Sequence, residues 1–290
     1  MLGLYKECPK KFHYQIILGY QPRGFNVHLK FGQLYHSALE HYDHALARGE
    51  PYETAVRTAA RTALVASVNP DGQPWESGDP NKNRYTLVRS VVWHCEHYRD
   101  SPWRTVILAN GKPAVELSFR FEAFEVAGEP ILLCGHMDRL IESPTTNVRM
   151  VADHKTTKGE LNARFFSGFT PHNQFSLYTI AGRVVLGDRC DGVLVSGAQI
   201  GATFTRFAQQ PVARPVAVLD EWLRDAAYWI GQARESALRD HWPMNDKSCN
   251  NYGGCAFAKV CKVSPSHRKA HLDADFAPFE WNPLVIRGDI

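Results

Sequence analysis

Two short stretches set carboxylates and an amine where they could act together. Cys-Gly-His-Met-Asp-Arg-Leu (134–140) is followed by Val-Ala-Asp-His-Lys-Thr-Thr-Lys (151–158). Side chains alternate along a strand, so Asp153 and Lys155, two residues apart, share a face. If the two stretches are neighbouring strands of a hairpin, Asp138 reaches that face as well. Converging carboxylates bind a hard divalent cation, Mg²⁺ or Mn²⁺. A lysine beside them can steady an anion or orient an attacking water. This is the equipment of metal-assisted phosphodiester hydrolysis. Alone, Asp-x-Lys is a common triplet and is equally at home on a solvated hairpin.

The second cluster is sulfur. The chain has seven cysteines, and three of them, Cys249, Cys255 and Cys261, lie within thirteen residues at C-x5-C-x5-C spacing. Gly253 and Gly254 allow a tight backbone turn before Cys255. An odd cysteine count behind a charged start (Lys6, Glu7, Lys10, Lys11) argues against a signal peptide and a disulfide framework, and for metal binding. Three thiolates need a fourth ligand for tetrahedral zinc or an iron–sulfur cubane. Cys8, in Glu-Cys-Pro-Lys-Lys-Phe, is the best candidate, as the only other cysteine outside an apolar stretch. Cys95, Cys134 and Cys190 fall in apolar patterns and read as buried small hydrophobes.

The elements that must position these residues follow from periodicity. Helices are expected over 1–20, 28–48, 52–67 and 84–99, with a Pro/Gly/Asp/Asn-rich loop at 69–83. After Pro102 the period turns to alternation, giving strands at 104–109, 114–126, 130–142 and 147–155, the last two a hairpin across Ser143–Asn147. A helix over 171–186 with Thr170-Pro171 at its start, strands at 190–200 and 202–209, and an amphipathic helix over 217–239 complete the pattern. The 290 residues are 44% hydrophobic and carry a net charge of +3, which excludes a disordered chain and does not announce nucleic-acid binding. No apolar run is long enough to span a membrane. The order suggests one α/β domain, with a helical part at 1–102, a sheet core at 103–215, and a helix, cysteine segment and tail at 216–290.

Together these motifs resemble the PD-(D/E)XK nuclease superfamily, in its RecB-like exonuclease branch with an iron–sulfur cluster, similar to AddB-type nuclease domains and CRISPR-associated RecB-like exonucleases. The matches are Gly32-Gln33-Leu34-Tyr35-His36, Gly135-His136-Met137-Asp138, Asp153-His154-Lys155, Gln174-Phe175-Ser176-Leu177-Tyr178, and one early plus three late cysteines. The resemblance implies a restriction-endonuclease-like core, a central mixed sheet flanked by helices, with an N-terminal helical elaboration and a C-terminal cysteine cluster. It implies His36, Asp138, Asp153 and the His154 carbonyl as ligands of Mn²⁺ or Mg²⁺, with Lys155 as a catalytic amine. It implies Cys8, Cys249, Cys255 and Cys261 as ligands of a [4Fe–4S] cluster. Many relatives space the late cysteines C-x2-C-x5-C, so the wider spacing here keeps Zn²⁺ open as the alternative. Gln174 and Tyr178, four apart on a helix, share a face and could position a phosphate, or simply pack. Glu116 is a weaker candidate for a supporting role. His13, His28, His41, His44 and His94 are expected as ordinary packed or exposed residues.

The expected activity is metal-dependent hydrolysis of DNA, by an exonuclease on single strands or ends, in recombination, repair or phage DNA processing. The alternative is a non-catalytic DNA-binding or assembly subunit with a nuclease-like fold. No Gly-x-x-x-x-Gly-Lys-[Ser/Thr] motif occurs, so a separate helicase or recombination protein is the expected partner for unwinding. The expected location is the cytoplasm of a bacterium or phage-infected host.

Overall fold

Every residue of the run Gly-Val-Leu-Val-Ser-Gly-Ala-Gln-Ile is buried, as a strand covered on both faces requires. This strand, β6 (Gly192–Ile200), belongs to a six-stranded mixed sheet. The computed structural model describes residues 1–24, 26–187, 189–251, 254–280 and 282. Gly253, expected to help the chain turn before Cys255, lies outside the described residues.

The sheet runs in the order β2 (Arg104–Thr105), β4 (Glu129–Glu142), β5 (Arg149–Thr157), β6 and β7 (Thr205–Ala213), with β3 (Val115–Val126) paired to β4. Neighbours are antiparallel at β2–β4, β4–β5 and β6–β7, and parallel at β5–β6. A parallel pair needs a crossover; α6 (Ala163–Ser167) and α7 (Asn173–Leu186) form it.

Three helices, α3 (Val27–Ala47), α4 (Tyr52–Ala66) and α5 (Arg84–His97), make a layer whose core includes Phe31, Tyr35, Leu39, Leu87 and Val91 with Ala198 and Ile200 of β6. Asn26 caps α3 by accepting from the His28 and Leu29 amides, and Asn83 with Thr86 forms a capping box on α5. Ala55, Ala59 and Ala63, one turn apart on α4, are fully buried in this core, where small side chains let helices approach closely.

The chain divides into two compact units. One gathers Phe25–Phe119 and Gly135–Leu219; the other gathers Met1–Gly24, Arg120–Cys134 and the chain from Asp220. The second unit contains α1 (Leu2–Glu7), α2 (Pro9–Phe12), a π-helical turn at His13–Ile17, β1 (Tyr20–Pro22) and most of α8 (Val216–Leu238). It continues with α9 (Ala258–Lys262), α10 (Pro265–Asp275) and β8 (Phe276–Pro278), which pairs antiparallel with β1. Its apolar centres are Tyr5, Phe12 and Trp242, and Tyr14, Phe257, Val260, Leu272 and Phe276. Among the described residues no helix is long and apolar enough to cross a membrane.

Several expected boundaries shift for local reasons. The single helix over 1–20 is broken at Cys8, which is extended (φ −162°, ψ 111°) as a residue before proline prefers. The strand over 104–109 stops at Thr105, because Leu108 to Lys112 fold into a tight turn (Leu108 N–H to Lys112 C=O, 2.9 Å). Thr170 does not cap α7. Its amide bonds to Ser167 C=O at 3.2 Å in the turn that closes α6, the Thr170–Pro171 peptide is cis, and the cap position falls to His172. The five-residue α6 was not expected, being too short to reveal a period. Cys95 and Cys190 are buried as expected, whereas Cys134 is only half-buried.

Candidate active site

The β4–β5 hairpin forms, and Arg139 pairs with Ala152, so Asp138 and Asp153 are the next residues along the two strands. Gly135 is forced by its surroundings: a Cβ there would meet the Phe119 ring at 2.9 Å. This lets β4 pass close to that ring on its way to Asp138. Gly32, by contrast, would place a Cβ 3.8 Å from Thr156 Oγ1, an ordinary contact.

The side chains meet in a connected set. His36, on α3, sets Nδ1 3.2 Å from Asp138 Oδ2 and Nε2 2.8 Å from the His154 carbonyl. The His154 amide donates to Asp138 Oδ2 at 3.0 Å. Lys155 Nζ lies 2.7 Å from Asp153 Oδ2 and donates to Gln174 Oε1 at 3.2 Å. Gln174 Nε2 donates to the Tyr178 hydroxyl at 2.9 Å. His36, Asp138, Asp153, His154, Lys155, Gln174 and Tyr178 therefore occupy one place. The His154 ring is buried against the rings of His36, His94 and Tyr35. Glu116, in a left-handed backbone conformation (φ +47°), is within electrostatic reach of Tyr178.

Electrostatics separates the two acids. Asp153 is 1% exposed, and burial pushes its pKa up to about 6, with Lys155 opposing and Asp138 adding to the rise. Burial acts on Asp138 in the same direction, but the His36 imidazole and the His154 amide outweigh it and hold its carboxyl well below the usual range. For His36, burial works against the charged form, yet the neighbouring Asp138 raises its pKa. Burial raises the pKa of the Tyr178 phenol, which stays protonated.

The donor chemistry fits a hard divalent cation: carboxylates of Asp138 and Asp153, a backbone carbonyl and one imidazole. In this arrangement the donors engage one another. Asp153 is drawn to Lys155 and Asp138 to His36, and among the described residues no group of three His, Cys, Asp or Glu side chains is closed up as a ligand set. Asp153 Oδ2 is buried, and among the described residues it makes no well-formed hydrogen bond beyond the Lys155 ion pair.

Cys8 and the three late cysteines lie in the other unit, and among the described residues no three of them are closed up as a ligand set. Cys8 is buried and Cys249, Cys255 and Cys261 are half-buried. Cys261 is within electrostatic reach of the other three, and Cys255 of Cys249 and Cys8. Burial raises the pKa of the Cys255 and Cys261 thiols. Glu7 C=O accepts from Asn245 Nδ2 at 2.9 Å and from Ser248 Oγ, which stitches the backbone beside Cys8 to that beside Cys249. The Cys255 amide bonds to Cys249 C=O at 2.7 Å.

Some supporting residues were not singled out from sequence. Asp43, buried on α3, pairs with Arg139 of β4. It lies seven residues after His36, so α3 is tied to β4 at two points on one face. A charged residue inside the apolar stripe of α3 was the available signal. Lys82 is buried, donates to Thr156 Oγ1 at 3.1 Å, and has its pKa lowered to about 8, chiefly by burial. It sits in a loop-like stretch with no pattern to mark it.

A sequence model of the PD-(D/E)XK nuclease superfamily matches residues 2–262. The chain belongs to the PD-(D/E)XK nuclease superfamily, whose members are phosphodiester hydrolases that use divalent metals such as Mg²⁺ or Mn²⁺. Its mixed sheet flanked by helices is the restriction-endonuclease-like architecture of that superfamily. No curated protein matches the sequence. Among solved structures it is similar to a provisionally named exonuclease from Eubacterium rectale, at 12% identity and a TM-score of 0.49, over 86% of this chain and 85% of that one. It is also similar to the protein SSO0001, at 11% identity and a TM-score of 0.31, over 62% of this chain and 76% of that one.

The Asp43–Arg139 pair generates a stability prediction. Arg139→Met leaves a buried carboxylate unpaired and is expected to cost about 3–5 kcal/mol. The double variant Asp43→Asn/Arg139→Met should recover part of that loss. Urea denaturation of the single and double variants measures both.

Proposed function

We propose that this chain is a metal-dependent deoxyribonuclease, acting as an exonuclease on single-stranded DNA or DNA ends. The observation that carries the reading is the meeting of His36, Asp138, Asp153, the His154 carbonyl, Lys155 and Gln174 at one place. His36, Asp138, Asp153 and the His154 carbonyl would hold Mn²⁺ or Mg²⁺, and the imidazole inclines the site toward Mn²⁺. When bound, the ion supplies Lewis-acid stabilisation of the scissile phosphate and a more acidic water.

The chain's own groups do the rest. The Lys155 ammonium, freed from Asp153, can steady negative charge developing on the phosphate and orient the attacking water. Gln174 Oε1 fixes that ammonium, and its Nε2, held by the Tyr178 oxygen, keeps the amide from turning over. The protonated Tyr178 hydroxyl still has its hydrogen to give to a phosphate oxygen. Asp138, low in pKa and bonded to the His154 amide, stays ionised as the fixed anion of the site. Roles in recombination, repair or phage DNA processing, alongside a separate helicase or recombination protein in the cytoplasm, suit this activity.

Cys8, Cys249, Cys255 and Cys261 would hold a [4Fe–4S] cluster, with tetrahedral Zn²⁺ as the alternative. The electrostatic reach of Cys255 and Cys261 to Cys8 and Cys249 supports this, as does the stitching of Glu7 to Asn245 and Ser248. Such a cluster would be structural, closing a loop of about 240 residues between Cys8 and Cys249.

With end-labelled single- and double-stranded DNA and Mn²⁺, wild-type protein is expected to cleave. Asp153→Ala and Lys155→Ala should each lose on the order of 10²–10³-fold or more in rate. Wild type that cuts nothing its variants spare would leave the non-catalytic DNA-binding or assembly role. For the cysteines, protein purified without oxygen should carry iron and sulfide, with a broad blue absorbance that air bleaches and Cys255→Ser lacks. Colourless protein with one bound zinc would replace the cluster by Zn²⁺, and metal-free protein would remove both.

A further inference from the structure

A cavity of about 310 Å³ opens in the unit that carries the cysteines. Lys10, His13, Tyr14 and Tyr20 line it from the N-terminal segment, and Arg268 and Lys269 from α10. Its lining is rich in cations, although Asp273 accepts from the Tyr20 hydroxyl and Asp240 lies within electrostatic reach of Lys10 and His13. Lys10 Nζ stands 5.9 Å from the Tyr14 ring centroid. Arg268 donates to the carbonyls of Val263 and Cys261, both at 3.2 Å. Among the described residues neither cation is paired with a carboxylate. Lys269 does not add to this excess, because Asp273 lies 2.7 Å from its Nζ.

Helix α10 lines the cavity with one flank, through Pro265, Arg268, Lys269 and Leu272. Two further features point the same way. Tyr14 is 4% exposed, and among the described residues its hydroxyl makes no well-formed hydrogen bond, with Arg268 beside it. The segment carrying His13 and Tyr14 is a π-helical turn, a geometry frequent at functional positions. Aromatic walls with cations between them are the composition that holds a nucleotide by its phosphate and its base. The volume is at the small end of ligand pockets and admits one nucleotide, not a base pair.

We propose that this cavity binds a phosphate of a single-stranded nucleic-acid chain, with the attached nucleoside against Tyr20 and Leu18. The inference rests on the nuclease reading for its ligand, and adds a second holding point for the strand. Lys10 supplies the point charge. The guanidinium of Arg268, already anchored through Nε and one Nη to two carbonyls, turns its remaining donors to the phosphate.

The test uses the full chain, a fluorescent single-stranded oligonucleotide and anisotropy in EDTA, where no metal-dependent cleavage interferes. Lys10→Glu is expected to weaken binding about tenfold or more, and Lys10→Gln to lower the slope of log affinity against log salt by about one. Lys247→Glu, an exposed change of equal charge, should shift affinity less than about twofold. Thymidine monophosphate should compete at lower concentration than inorganic phosphate. The proposal is overturned if Lys247→Glu weakens binding as much as Lys10→Glu, since net charge then explains the effect. Equal competition by inorganic phosphate would make the cavity a free-anion site and also overturn it. Lys10 lies within electrostatic reach of Cys8 and Cys261, so metal content and melting temperature are measured alongside. A binding loss that tracks a loss of metal would assign Lys10 to the cysteines instead. If wild type binds with the Lys10 dependence but cuts no DNA, the nuclease reading fails and the cavity stands. If it cuts and Lys10→Gln binds unchanged, the cavity fails alone.

Discussion

Asp138 and Asp153 lie within electrostatic reach of each other, and like charges so placed repel. The structure around them is organised against that repulsion. His36 and the His154 amide stabilise charge on Asp138, while Lys155 does the same for Asp153. The balance is unequal, so Asp138 is held firmly ionised and Asp153 is the acid that resists ionisation. A divalent cation would relieve both at once, and this links the fold to its chemistry. Helix α3 brings His36 to the site and is tied to β4 again through Asp43 and Arg139. Helix α7 brings Gln174, which fixes Lys155. Each element beside the hairpin thus places one group that compensates buried charge.

Much of this was legible in the sequence. The hairpin shows because alternation and the Ser-Pro-Thr-Thr-Asn turn mark it, and period two then dictates that Asp153 and Lys155 share a face. The i, i+4 spacing of Gln174 and Tyr178 gave their contact directly. Their role in fixing Lys155 did not follow from spacing, because it depends on where α7 crosses β5. The Asp43–Arg139 pair and Lys82 escaped for the same reason. Their partners lie 96 and 74 residues away in sequence, and no local period encodes such a contact. At Cys8, Leu108 and Thr170, proline or turn geometry interrupts an otherwise regular pattern.

The sulfur-bearing unit has a different logic. Its described apolar centres are small aromatic groups around Tyr5, Phe12 and Trp242, and around Tyr14, Phe257 and Phe276. It is assembled from both ends of the chain and the middle segment Arg120–Cys134, a topology with a large closure entropy. Four thiols drawn from those two ends are where a metal group would contribute most, since ligation fixes Cys8 to the late cysteines directly. The cationic cavity lies in this unit and its Arg268 donates to the Cys261 carbonyl, so metal binding and strand holding would be neighbouring uses of one scaffold.

The central claim is that Asp138 and Asp153 form a metal site. Calorimetric titration of Mn²⁺ into wild-type protein, Asp138→Asn and Asp153→Asn tests it most directly. The account predicts saturable binding to wild type that both variants lose, with their far-ultraviolet circular dichroism unchanged. Wild type that takes up no Mn²⁺, or variants that bind it as tightly as wild type, would contradict it.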